Sequence, residues 1–461
     1  MNRKKLLTIN IFLSLALLAL LLVCLKCEID IKEAEATKAL SPVYKSGDAS
    51  HNSASSRSYV KSLRKLGSSF TGNEGETTTI MLYLNGCSLE TDGGAATMDL
   101  KEILKAGYSD QVNVVVETIS TCQWQRYHIA SDRTQRYAVT EDGLSLVCDN
   151  LGQQDVTDPA ALTEFIRWTK YNYPADRYVI VLWNHGGGPV EGFGYNEWGR
   201  ASDALTIAEM QTAFEDAGVY FDIIGFDACI MSSLEICYGL YDYCDYMILS
   251  EDFESSLGWY YTDFLTNLYE NPTMDTVSLG TMIVDDMVSK NESSKMGAES
   301  TLALIDMRFV PELFKEWQEF AYANEEDLRT LNYSKEIKRT NRAMDSSDSD
   351  KSVAEMDEYY ITDIMAVASS IDSSESKSLI AALNKTICYY NSTYSDRGLT
   401  GMYVIIPYKS KSFYKKLKNS FLSIGIDRRY ITWLNRFVDL ENSVDFYDYE
   451  EFDNSWEGWD S

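Results

Sequence analysis

Residues 177–188 read RYVIVLWNHGGG and residues 222–229 read DIIGFDAC. Each is an almost wholly apolar run that stops abruptly at polar residues, and the first stops at three glycines as well. A strand with one face in water alternates apolar and polar side chains, whereas a strand covered on both faces does not. Uninterrupted runs bounded by turn residues therefore predict strands of a buried, parallel sheet. Runs of the same kind occur at TIMLYLNG (79–86), VNVVVET (112–118) and DYMILSEDF (245–253). Helical stretches are expected between them near 96–107, after Asp158-Pro159 and at about 203–217; Asp158 has the chemistry of an N-cap and Pro159 suits the first turn. Strands alternating with helices build βαβ units, so residues 76–270 are expected to form an α/β fold, an αβα sandwich. Residues 271–440 add helices, a strand at TLALID (301–306), a polar break at DSSDSDKS (345–352) and a late strand at GMYVIIP (401–407).

The flanks differ in kind. Arg3, Lys4 and Lys5 precede an apolar run from Leu6 to Leu25, the pattern of an export signal. The run is also long enough to span a bilayer, and Cys24 or Cys27 offers a site for a lipid. Residues 1–27 thus read as a cleaved signal, a retained anchor or a lipidated leader, and all three put the remaining chain outside the cytoplasm. Residues 28–75, rich in Ser, Lys, Glu and Ala, read as a linker or pro-segment, and 441–461 as an acidic, aromatic tail. With 41 basic and 70 acidic residues the formal charge is −29, which repels phosphate backbones and makes nucleic acid a poor partner. It suits basic peptides and divalent cations. Seven cysteines follow the leader, an odd number, so at least one thiol of an exported protein is free; no CxxC pair suggests zinc.

The chain has three histidines, which narrows the choice of a catalytic imidazole. His51 lies in the polar linker and His128 in a polar stretch, whereas His185 ends a buried strand before Gly186, Gly187 and Gly188. Ligands of open parallel sheets bind beyond the carboxyl ends of the strands. Cys229 ends a second such strand, and the helix expected directly behind it would favour its thiolate. Taken alone, His185 reads equally as a strand cap, and Cys229 more readily as a buried structural cysteine. Joined by one crossover helix they fall on one rim of the sheet, where a nucleophile and a base can share a cleft. The backbone N–H groups of Gly186 and Cys229 are then the expected oxyanion donors. Asp227 could pair with an arginine or lysine of a substrate or cap the following helix, and the sequence leaves these two readings level. Glu251, Asp252 and Glu254 follow the next strand end and add negative charge nearby, although such a cluster is commonly just solvated.

At this point the chain resembles the clostripain-like cysteine peptidases of the caspase-like group. The resemblance covers about residues 76–410 and rests on TIMLYLNG, YPADRYVIVLWNHGGG, GFDACIMSSLE, LSEDFESSLGW and RGLTGMYVIIP in order. It implies a caspase-like fold, His185 and Cys229 as the dyad, and Asp227 in a pocket that selects Arg or Lys before the scissile bond. It also implies that substrate lies along the strand ending near Ser250 and Glu251. The proline often found in that segment is missing here. Family members commonly cut themselves between the His and the Cys, and Arg200 is the only basic residue in that interval. Calcium is the cofactor the family suggests, although no loop has EF-hand spacing.

Two other classes compete. HGGG also builds oxyanion holes in esterases, but the chain has no G-x-S-x-G elbow and no histidine after His185. An inactive surface scaffold of the same fold would be expected to lack catalytic residues, and here they are present.

Overall fold

A computed structural model describes residues 68–199, 204–294, 300–331, 361–393, 399–407 and 411–438. The leader, most of the linker, Arg200, the 345–352 break and the acidic tail lie outside the described residues. No helix among the described residues is long and apolar enough to cross a membrane.

The core is a nine-stranded sheet in the order β10-β8-β7-β6-β5-β1-β2-β3-β4. Its centre comprises β1 (Thr78–Leu84), β2 (Val112–Thr118), β5 (Arg177–Trp183), β6 (Phe221–Asp227) and β7 (Cys244–Leu249). These five pair parallel in the order β7-β6-β5-β1-β2. They are the apolar runs seen in the sequence, and their residues are buried on both faces. Met81, Ile180, Leu182, Ile224 and Phe226 pack on one side against α2 (Pro159–Asn172), α3 (Ile207–Ala217) and α4 (Leu234–Leu240). Leu82, Val181, Trp183 and Ile223 pack on the other against α1 (Ala95–Ala106), α5 (Tyr261–Glu270) and α6 (Thr276–Ser293). The result is the expected αβα sandwich. Asp158 caps α2 by accepting from the Ala160 N–H, and Thr206 with Glu209 forms a capping box on α3.

The edges depart from the parallel rule. β3 (Gln135–Thr140) and β4 (Gly143–Cys148) form an antiparallel hairpin outside β2, and β8 (Thr301–Asp306) and β10 (Ile387–Ser392) run antiparallel beyond β7. The hairpin has no continuous apolar run to mark it in the sequence. Its strands mix polar and apolar residues because β4 is a partly exposed edge, and the signal that could have found it is the Asp142-Gly143 turn, with Gly143 at φ 100°. The 401–407 run does not join the main sheet: β11 (Tyr403–Ile405) pairs with β9 (Ile361–Asp363) in a separate two-stranded sheet beside the site. Residues 68–75, read as the end of a linker, already pack on the body at the amino ends of β5 and β6. Phe70 lies 4.0 Å from the Arg177 guanidinium, and the Ser68 hydroxyl bonds the Asp222 carboxylate.

Candidate functional site

The carboxyl rim of the central strands brings the site together. Trp183 of β5 stands directly opposite Asp227 of β6 in the parallel register. His185 and Cys229 each lie two residues further on, so they leave the same rim of the sheet from adjacent strands, whose ladder spacing is about 5 Å. The Asn184 N–H donates to the Asp227 carbonyl at 3.2 Å, which carries the pairing past the strand ends. Gly186 is required by this approach, because a Cβ there would run into the Cys229 carbonyl. The glycines after His185 thus serve loop-against-loop packing as well as access. The amides of Gly186 and Cys229 donate to no partner among the described residues, while Gly187 and Gly194 are tied into a small hairpin by bonds to Gly192 and His185.

His185 is held from two sides. Its Nε2 lies 3.2 Å from the Ser88 hydroxyl, and the Tyr195 ring stacks on the imidazole at 5.8 Å and 18°. The Tyr195 hydroxyl accepts the Ser88 N–H at 3.2 Å. Neither Ser88 nor Tyr195 stands out in the sequence, since the short helix Cys87–Gly93 that carries Ser88 and the loop that carries Tyr195 approach His185 only through the tertiary fold.

The chain around Cys229 differs from the expected strand-to-helix turn. The helix begins at Leu234, capped by Ser233 accepting from the Ile236 N–H, so Cys229 does not sit at its first turn and Asp227 caps nothing. The physical reason is Ile230, a β-branched residue at φ 49°, which breaks any helix there. That conformation is held by the Ile230 N–H donating to the Asp252 carbonyl at 3.0 Å and by the Tyr403 hydroxyl donating to the Ile230 carbonyl at 2.6 Å. Backbone strain of this kind concentrates at functional sites. The Cys229 sulfur accepts the Glu254 N–H at 3.3 Å. Burial, and then the nearby Glu254 carboxyl, push the Cys229 thiol up to about 12. The surroundings therefore favour the thiol over the thiolate that a helix terminus would favour, although Cys229 keeps partial exposure beside Glu254.

Asp227 is buried and lies on the side of the sheet facing α1 and α5. It accepts the Tyr261 hydroxyl at 2.8 Å and the Trp259 N–H at 3.2 Å. Gly258, at φ 56°, lets the chain pass over it, since a Cβ would stand 2.8 Å from its carboxylate. Two more carboxyls face it: Asp99, held by the Trp183 indole N–H at 2.7 Å, and Glu254, whose buried carboxyl lies against Asp227 and the Trp259 side chain. Burial first, and the neighbouring acids second, hold the Asp99 and Glu254 carboxyls well above the usual range, and burial pushes Asp227 up to about 6. No cation among the described residues pairs with this group. Asp99 was missed because it reads as one more polar residue of an amphipathic helix.

Ser250 and Glu251 are internal. The Ser250 carbonyl accepts the Ser232 N–H at 2.8 Å and its hydroxyl donates to the Asp252 carbonyl. Glu251 accepts the N–H groups of Gly401 at 2.7 Å and Thr400 at 3.1 Å, which ties β7 to the small second sheet. All seven cysteines after the leader are free. Among the described residues no group of three or more His, Cys, Asp or Glu could hold a metal ion.

A parallel sheet sheathed by helices, carrying a cysteine and a histidine from adjacent strands on its carboxyl rim, defines the caspase-like class of α/β proteins. Within that class the chain belongs to the clostripain family, whose sequence model matches residues 92–459. It is 25% identical over 210 residues to clostripain of Hathewaya histolytica, a match covering 39% of this chain and 39% of that protein. The aligned part thus spans well under half the length of this relative. Two solved structures share the fold. One is a secreted C11 cysteine protease from Bacteroides thetaiotaomicron bound to an irreversible peptide inhibitor (TM-score 0.56, 17% identity, 77% of this chain and 100% of that one). The other is an inactive zymogen C11 protease from Parabacteroides distasonis (TM-score 0.53, 15% identity, 76% of this chain and 99% of that one).

Proposed function

We propose that this protein is an exported cysteine endopeptidase that cuts after arginine or lysine, with Cys229 as nucleophile and His185 as general acid and base. The observation that carries the reading is the exit of these two residues from β5 and β6 at one rim, beside a buried group of acids with no cation of its own among the described residues. His185 takes the thiol proton as the sulfur attacks the scissile carbonyl carbon. The oxygen that becomes negative is received by the amides of Gly186 and Cys229. Collapse breaks the C–N bond while His185 hands its proton to the leaving amine. Water, deprotonated by His185, then attacks the thioester, releases the carboxylate and restores the thiol. Because the surroundings favour the thiol over the thiolate, proton transfer to His185 accompanies the attack.

Asp227, joined by Asp99 and Glu254, is the proposed seat of the substrate cation. Ser250 and Glu251 belong to the wall of the same cleft, through the backbone and not through their side chains. Export agrees with the basic and apolar leader and with the secreted B. thetaiotaomicron relative. Self-cleavage after Arg200 is the proposed maturation step; a Cys229→Ala chain that still appears as two fragments at that site would assign the cut to another enzyme. The central test is labelling with a thiol-reactive peptide ending in Arg or Lys. Labelling of the wild type and its loss in Cys229→Ala are expected. Equal labelling of both would remove Cys229 from its role, and none in any redox or calcium condition would favour a partner-binding scaffold.

A further inference from the structure

The geometry points to Ser88 as a positioning residue for His185, acting with Tyr195 to fix the tautomer and the plane of the imidazole. This rests on the dyad proposed above and extends it to a third and a fourth side chain. An imidazole ring that works as acid and base must present a defined nitrogen to the sulfur. Which nitrogen that is depends on the bond the other one makes.

Here the Nε2 side is occupied by the Ser88 hydroxyl at 3.2 Å. When Nε2 carries the proton it donates to Ser88 Oγ, and Nδ1 is then the basic nitrogen, the one able to take the thiol proton and pass it to the leaving amine. Ser88 is itself held, because its backbone N–H donates to the Tyr195 hydroxyl at 3.2 Å. The same Tyr195 lays its ring along the imidazole, 18° from parallel, so the ring cannot tip out of the Nε2–Ser88 line without losing the stack. Tyr195 is in turn anchored by its N–H donating to Asn85 Oδ1 at 3.2 Å, and Asn85 directly follows β1, the neighbour of β5. The bracket therefore runs from β1 through Asn85, Tyr195 and Ser88 to the ring, and it is built on the rigid sheet. Proper orientation of this kind is worth more to the chemical step than to binding.

Ser88 also has a predictable electrostatic effect. A hydroxyl oxygen accepting from Nε2–H favours the charged ring over the neutral one, so its loss lowers the imidazolium pKa. The test is steady-state hydrolysis of an Arg-containing peptide amide by the full chain, with active sites counted by the thiol-reactive peptide, across a pH series. Ser88→Ala is expected to lower kcat about tenfold to a hundredfold with KM within about twofold, and to move the His185 limb of the profile to lower pH by about half a unit. Ser88→Thr restores both. Tyr195→Phe keeps the stack and loses the hydroxyl, so it falls between wild type and Ser88→Ala; Tyr195→Leu falls further. An unchanged kcat and pH profile in Ser88→Ala, or a Thr variant as impaired as the Ala one, overturns the assignment. Should Ser88→Ala fold poorly, the order Tyr195→Phe above Tyr195→Leu decides, and equal activity in those two overturns it. Full hydrolysis by Cys229→Ala would instead sink the dyad beneath it, so the two failures are distinguishable.

Discussion

Two of the groups of buried acids in this molecule are finished differently. Glu117 on β2 faces Arg136 on β3 at 2.7 Å, both wholly buried, and the same guanidinium reaches Glu164 and lies over the Trp168 ring at 4.7 Å. Even so, burial pushes Glu117 up to about 7, with Arg136 opposing the shift. At the rim, Asp99, Asp227 and Glu254 meet with no guanidinium or ammonium supplied by the described residues. An isolated buried charge is far more costly than a paired one, so such a group either holds protons or waits for a cation. The contrast separates a structural ion pair from an incomplete one, and the second is where a basic substrate side chain would complete the set.

The sharpest way to break that comparison is to neutralise one member of each group. Asp227→Asn keeps the size of the side chain and an acceptor for the Trp259 N–H. It should cut kcat/KM on Arg and Lys peptides by about a hundredfold or more, roughly the cost of an unpaired buried cation, while labelling by a small uncharged thiol reagent persists. A variant that retains full preference for basic residues would place the cation elsewhere. Arg136→Ala should do the reverse: it leaves the preference for Arg and Lys intact and costs about 3–5 kcal/mol of stability, because Glu117 is left buried and unpaired. Denaturant unfolding checks it, and a loss below about 1 kcal/mol would mean that Glu117 simply takes up a proton.

The pH dependence sharpens the same contrast at smaller scale. With Asp227 pushed up to about 6, its carboxyl is neutral below that pH and ionised above it. Attraction for a cationic side chain should therefore rise between about pH 5 and pH 7, seen as a kcat/KM increase for Arg peptides that Asp227→Asn lacks. A third buried acid gives the smallest effect. Glu235, at the start of α4, accepts the Ile405 N–H at 3.2 Å with one oxygen and has no partner for the other. Burial pushes it from 4.5 up to about 7. The folded state thus holds the proton more tightly than the unfolded chain. The stability this contributes is full below the unfolded value and is lost as pH rises through about 7. Glu235→Gln should remove that slope, gaining about 1–3 kcal/mol over wild type at pH 8 relative to pH 4. Parallel melting curves for the two proteins across this range would contradict it.

How much of this was legible beforehand depends on the range of the interaction. β2 and β8 begin and end where their apolar runs do, and Asp158 caps its helix as expected, because both features are set by near neighbours in the chain. The β3–β4 hairpin escaped notice because an edge strand needs no continuous apolar run. The helix expected directly after Cys229 begins five residues later, since Ile230 is forced into a left-handed conformation by partners from distant segments, Asp252 and Tyr403.

The order of amino acids alone marks the buried parallel strands and puts His185 and Cys229 at their ends, because burial on two faces demands uninterrupted apolar residues and a strand must end where polarity returns. Folding in three dimensions brings the acids together, sets Ser88 and Tyr195 around the imidazole and buries the Cys229 thiol enough to push it up. Those outcomes depend on register, loop closure and loss of water around groups far apart in the chain, and no local pattern encodes them.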